Sequence, residues 1–121
     1  MPAPSPLTIA TQSVQRLVKE EKYYRKELTQ QSERAKKLEA ELKAAGPDVD
    51  GNSGFVLKQE LKAVDETRAV FAPLNKRIEE AVQRLEEQIA TAESENAPPE
   101  EIAKAKEALE LGKSVEEPPV A

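Results

Sequence analysis

The 121-residue chain contains no cysteine, no histidine and no tryptophan, and only two tyrosines and two phenylalanines. Without thiols and imidazoles, cysteine nucleophiles, histidine general bases and the usual zinc sites are unavailable. Carboxylates, lysines, tyrosines and hydroxyls alone remain for chemistry. The four glycines, at 46, 51, 54 and 112, make no phosphate-cradling loop after a strand pattern. Two narrow seams of apolar residues offer no polar cleft for a carboxylate-based hydrolase. The composition therefore argues against an enzyme and predicts no cofactor and no metal. No run approaches the roughly 18 apolar residues that a membrane span needs. The opening Met1-Pro-Ala-Pro-Ser-Pro6 has neither the charged nor the apolar stretch of a secretory signal. A cytoplasmic protein is expected, with which the lack of cysteine is compatible.

What is abundant is charge. Asp, Glu, Lys and Arg make up 34% of the chain against 3% aromatics, and the net charge is −5. Such an acid excess argues against nucleic acid as partner, because phosphate binding calls for a basic face. The length suits one domain covering residues 1–121. Charged, glycine-poor composition indicates an all-α class.

Apolar residues recur at alternating spacings of three and four. In the first segment the positions are Leu7, Ala10, Val14, Leu17, Glu21, Tyr24, Leu28, Gln31, Ala35, Leu38, Leu42 and Ala45, ten of the twelve apolar or aromatic. This heptad seam predicts a helix over about 7–45, roughly 57 Å long. The turn formers of 46–54 predict a loop that reverses the chain. A second seam, Leu57, Leu61, Val64, Arg68, Phe71, Asn75, Ile78, Val82, Leu85, Ile89 and Ala92, predicts a helix over about 55–95. Pro73 lies inside it and predicts a kink near 69–72. After Pro98-Pro99 a third helix is expected over about 98–111, with Ile102, Ala105 and Leu109 as its stripe and Gly112 as its stop. A loose tail follows over 114–121.

From Val14 to Ala45 there are nine basic residues and six acidic ones; from Val56 to Glu95 the counts are six and nine. Opposite net charge favours an intrachain hairpin over parallel self-association. The expected architecture is an elongated antiparallel three-helix bundle with two long helices and a shorter third, the second helix kinked near Pro73. With the loop centred near residue 51, facing residue numbers should total about 103, pairing Leu38 with Val64, Tyr24 with Ile78 and Leu17 with Leu85. Glu21, Gln31, Arg68 and Asn75 interrupt the seams and are read as register-setting residues.

Two blocks carry a family resemblance. Val14-Gln-Arg-Leu-Val-Lys-Glu20, followed by Tyr24 and Lys26-Glu27, resembles the Arg-Leu-Val-Lys-Glu…Tyr-x-Lys-Glu block of tubulin-binding cofactor A. Leu57-Lys-Gln59, Glu66-Thr-Arg68, Pro73, Arg77-Ile-Glu79 and Ala81 resemble that family's second-helix pattern, Pro73 falling one position later. The likeness runs from Val14 to Leu85. It implies a three-helix bundle without catalytic residues that binds β-tubulin after the cytosolic chaperonin, acts with other tubulin-folding cofactors, and associates with the cytoskeleton. The competing expectation is a homodimeric coiled-coil spacer or adaptor, whose seams meet a second chain.

Interfaces favour Tyr and Arg anchors, and Tyr23 lies beside the seam residue Tyr24. Arg16, Lys19, Tyr23, Lys26 and Arg77 are therefore candidate partner contacts; all but Tyr23 also fall on the family blocks. A short third helix cannot cover the whole hairpin, so an uncovered apolar face is expected toward the loop, with Val70 and Leu74 as further contact candidates. Either a monomer or a weak homodimer fits these features.

Overall fold

In the computed structural model, which describes residues 3–46 and 51–116, the chain forms three helices: α1 (Pro6–Ala45), α2 (Gly51–Ser94) and α3 (Pro99–Lys113). The bundle is all-α. Rises of 1.5 Å per residue make α1 roughly 60 Å, α2 roughly 66 Å and α3 roughly 22 Å long. The exposed area, 8602 Å², exceeds by about a third the roughly 6,450 Å² expected of a compact 121-residue protein. That excess reflects elongation.

Local chemistry sets the helix ends. Ser5 caps α1: its Oγ accepts the amide of Thr8 at 3.1 Å, and Pro6 occupies the first turn, where its missing amide costs nothing. Gly46 closes α1 at φ 70°, its amide bonding the Leu42 carbonyl. At the end of α2, Asn96 takes a left-handed φ of 56°. There the Ala97 amide bonds the Ala92 carbonyl at 2.9 Å and the Asn96 amide bonds that of Glu93 at 3.3 Å, the paired arrangement of a Schellman turn. In α3, Glu100 and Glu101 occupy the first turn and Lys113 the last, each matching the helix dipole.

Several expectations are corrected. Gly51–Gly54 belongs to α2, so the expected 46–54 loop is four residues too long at its far end; residues 47–50 lie outside the described residues. Gly112 does not stop α3. It is buried inside the helix, where α3 comes so close to its neighbours that an added Cβ would lie 2.5 Å from Val82 Cγ2 and 3.0 Å from Val14 Cγ1. The expected tail is not loose where it is described: Val115 packs against the core, and the Glu116 carbonyl accepts bonds from Arg25 Nη2 (3.1 Å) and Asn75 Nδ2 (3.3 Å). Residues 117–121 are outside the described residues. Pro73 lies inside α2, as expected.

The register is also corrected. Gly112 is flanked by Val14 and Val82, and the Arg25 guanidinium stacks 5.6 Å from the Phe71 ring centre. Both pairs have residue numbers totalling 96, one heptad below the expected 103. Val14 and Val82 are both seam positions, whereas Arg25 lies beside the seam residue Tyr24.

The buried stripe of α2 differs as well. Thr67, Leu74 and Ala81 are buried, whereas Arg68, Asn75 and Val82 are only half-buried, and Leu61, expected in the seam, is 45% exposed. The main core joins Leu7, Val14, Leu17 and Val18 of α1 to Leu74, Ile78, Leu85 and Ile89 of α2 and to Ala105 and Ala108 of α3. Small residues on α3 allow that close approach. Farther toward the α1–α2 connection only two helices remain, and a second cluster of Leu28, Val64 and Phe71 continues the core. Tyr24 packs against both.

Candidate partner-binding surface

Seven residues were expected to meet a partner, and the structure divides them. Arg16, Lys19, Tyr23 and Lys26 are exposed and recur along α1 at spacings of three and four, so they share one face of that helix. Tyr23 is 62% exposed, yet its ring is braced edge-on against Tyr24 at 5.3 Å between centres. A held aromatic ring loses little freedom on binding. Arg77 is exposed on α2.

The apolar pair fares differently. Leu74 is buried at 3% in the main core, and Val70 is half-buried against it. Neither forms the uncovered face expected of them. Two causes are visible: the α2 stripe runs through Thr67, Leu74 and Ala81, turning Leu74 inward, and the chain beyond α3 extends cover as far as Asn75 and Arg25 through Glu116. The uncovered apolar surface sits farther along. Phe55 (59% exposed), Val56 (40%) and Leu61 (45%) lie at the start of α2, with Leu57 half-buried beside them and Leu38 and Leu42 half-buried on α1. Gly54, Phe55, Leu57, Lys58 and Leu61 line a shallow recess of about 400 Å³ there. A seam position does not guarantee burial where only two helices pack, so Leu61 faces solvent despite its place in the heptad. The adjacent apolar pair Phe55-Val56 was the available signal for this surface.

Four polar residues were expected to set register. Glu21 is buried and ion-paired with Arg25, one turn on; Arg25 in turn reaches Phe71 and Glu116, so this pair ties all three strands of the packing together. Loss of Arg25 would leave this carboxylate buried without its partner, which is strongly destabilising. Gln31 is buried, and its Oε1 has no hydrogen-bond partner; the same holds for Arg68 Nε and Asn75 Oδ1. Ion pairs between elements join α3 to α2, Lys106 to Glu93 at 3.6 Å and Lys113 to Glu86 at 3.9 Å, all partly solvated and individually worth little.

The geometry is that of a long, narrow bundle with an exposed basic and aromatic face on α1 and an exposed apolar patch at the start of α2. Residues 2–109 match the family model of tubulin binding cofactor A. The chain belongs to the tubulin binding cofactor A family. The match takes in most of α3, which the block resemblance from Val14 to Leu85 did not reach. No curated protein and no solved structure matches the chain. A tubulin-binding cofactor role follows at the family level. Among the described residues, no helix of this family member is long and apolar enough to cross a membrane.

Proposed function

We propose that this chain is a tubulin-folding cofactor that captures β-tubulin intermediates after their release from the chaperonin, stores them and hands them on to later cofactors in the cytoplasm, close to the cytoskeleton. The observation that carries the reading is the family match over residues 2–109. Capture of this kind works by mass action. A protein that binds one species lowers its free concentration in proportion to ligand over Kd, and needs no nucleotide or covalent step to do so.

The single chain of 121 residues acts as one unit in this reading, with α1 and α2 as an antiparallel hairpin. Support comes from Val14 and Val82 both lying beside Gly112 and from Arg25 lying over Phe71, across which α1 numbers rise as α2 numbers fall. Two surfaces serve the partner: the Arg16, Lys19, Tyr23 and Lys26 face of α1 with Arg77 beside it, and the Phe55, Val56 and Leu61 surface at the start of α2. An acidic chain meeting an acidic partner needs local basic groups and apolar contact, since overall charge repels.

The test is co-elution of the purified chain with β-tubulin newly released from chaperonin, run without added nucleotide. A one-to-one complex is expected. Its absence, with the chain folded by circular dichroism, sinks the reading; a stable two-chain particle in sedimentation without tubulin affinity points to the coiled-coil adaptor instead.

A further inference from the structure

One recess on the bundle concentrates guanidinium groups. Ser13 and Arg16 of α1 and Arg77, Glu80 and Arg84 of α2 line a cavity of about 180 Å³ across the α1–α2 interface. Arg77 and Arg84 are seven residues apart, two turns of the same helix face, with roughly 10 Å between them along the axis. With facing numbers totalling 96, Arg16 stands opposite residue 80, between the two. Three guanidinium groups thus surround one recess whose only carboxylate is Glu80.

Among the described residues, Arg16, Arg77 and Arg84 take part in none of the ion pairs, although the chain carries 23 acidic residues. Six charge pairs elsewhere show that carboxylates are close at hand for other cations. The groups lining the recess carry three positive charges to one negative in a protein of net charge −5, with Glu20, one turn from Arg16, on the neighbouring recess beside Arg77. A planar guanidinium fork donates to both oxygens of a carboxylate at once, which a point-charge lysine does not. An extended peptide puts alternate side chains about 7 Å apart on one side, so two successive carboxylates on that side fit between Arg77 and Arg84, with Arg16 reaching either. The Ser13 hydroxyl adds a donor at the rim.

We propose that this recess seats an acidic peptide segment of the protein partner, with Arg16, Arg77 and Arg84 as its carboxylate clamps. The proposal deepens the functional reading above, on which that partner is tubulin. It separates the two surfaces by chemistry: carboxylates dock at the arginines, and apolar side chains dock near Phe55 and Leu61.

Fluorescence anisotropy with a labelled octa-glutamate peptide at low salt tests it. The full chain should bind the peptide and lose it as ionic strength rises and the Debye length shrinks from about 30 Å to about 10 Å. Arg16→Gln, Arg77→Gln and Arg84→Gln should each weaken binding on the order of tenfold, and Arg→Lys at the same positions should restore only part, because charge returns without the fork. The double variant Lys36→Gln/Lys37→Gln removes exposed cations elsewhere on α1 and should leave peptide affinity unchanged. Peptide binding that survives the triple Arg→Gln variant with unaltered helicity overturns the proposal, as does equal weakening by the Lys36/Lys37 variant, which would mark a diffuse field. Equal competition by inorganic phosphate at the same charge concentration also overturns it, since a small anion would then be the ligand. Tubulin capture measured in parallel keeps the two readings apart: capture without peptide binding refutes the clamp alone, and peptide binding without capture refutes the tubulin assignment alone.

Discussion

Replacing Gly112 with alanine sets two known effects against each other, and the close approach of α3 decides the outcome. Alanine is favoured over glycine inside a helix by about 1 kcal/mol. Here, however, the new methyl would stand 2.5 Å from Val82 Cγ2 and 3.0 Å from Val14 Cγ1, where carbons pack at about 3.5–4.0 Å. Neither valine yields easily, because β-branched side chains are stiff at χ1 and Val14 is fully buried. The third helix must lift by about 1 Å along its last turn, and overpacking of this kind costs about 1–3 kcal/mol. The net expectation is destabilisation of about 1 kcal/mol, a fall in Tm of about 4 °C for a chain of this size. Thermal melts followed by circular dichroism at 222 nm measure it. Gly54→Ala supplies the contrast: nothing lies within 4 Å of its added Cβ, so the helix preference acts alone and Tm should rise or hold. A double-mutant cycle with Val82→Ala should return about 1 kcal/mol of favourable coupling, since the smaller side chain removes the closest contact. A higher Tm for Gly112→Ala, or additivity with Val82→Ala, would refute the account of α3 packing.

Truncation should separate core from surface: Leu85→Ala, at a fully buried site, should cost about 2–5 kcal/mol, while Leu61→Ala, 45% exposed, should cost under about 1 kcal/mol in the same denaturant titration. Charge placed in the core unfolds, whereas charge placed on a contact face only blocks binding. Leu74→Asp should therefore lower Tm sharply, and Phe55→Asp should leave the melt nearly unchanged while weakening tubulin capture; the reverse pattern would exchange their roles. Capture of whole β-tubulin should survive the step from low to physiological ionic strength, because apolar contact near Phe55 is not screened; collapse of the complex over that step would indicate an interface held mainly by charge.

Much of this bundle is legible in local chemistry. Helix class follows from 3.6-residue periodicity and the scarcity of aromatics. The ends of α1 follow from Ser5-Pro6 and Gly46, and the break after α2 follows from Asn96 and the prolines behind it, because capping and left-handed turns depend on residues within a few positions of each other. The exposed face holding Arg16, Lys19, Tyr23 and Lys26 is legible for the same reason: one helix alone fixes which of its residues share a side. Register is different in kind. A heptad pattern repeats every seven residues, so hairpins offset by one heptad bury the same seam types and their local patterns agree equally well. Periodicity alone does not distinguish them, and the pairs seen near Gly112 and Phe71 total 96 where 103 was expected. Arg16 shares its recess with Arg77 and Arg84 across two helices, which neither helix by itself specifies. The burial of Leu74 and the exposure of Leu61 likewise depended on where α3 and Glu116 end their cover, and Gly112 was decided by a third helix lying against two others. Contacts between residues far apart in the chain come from packing, and a one-dimensional pattern does not carry it.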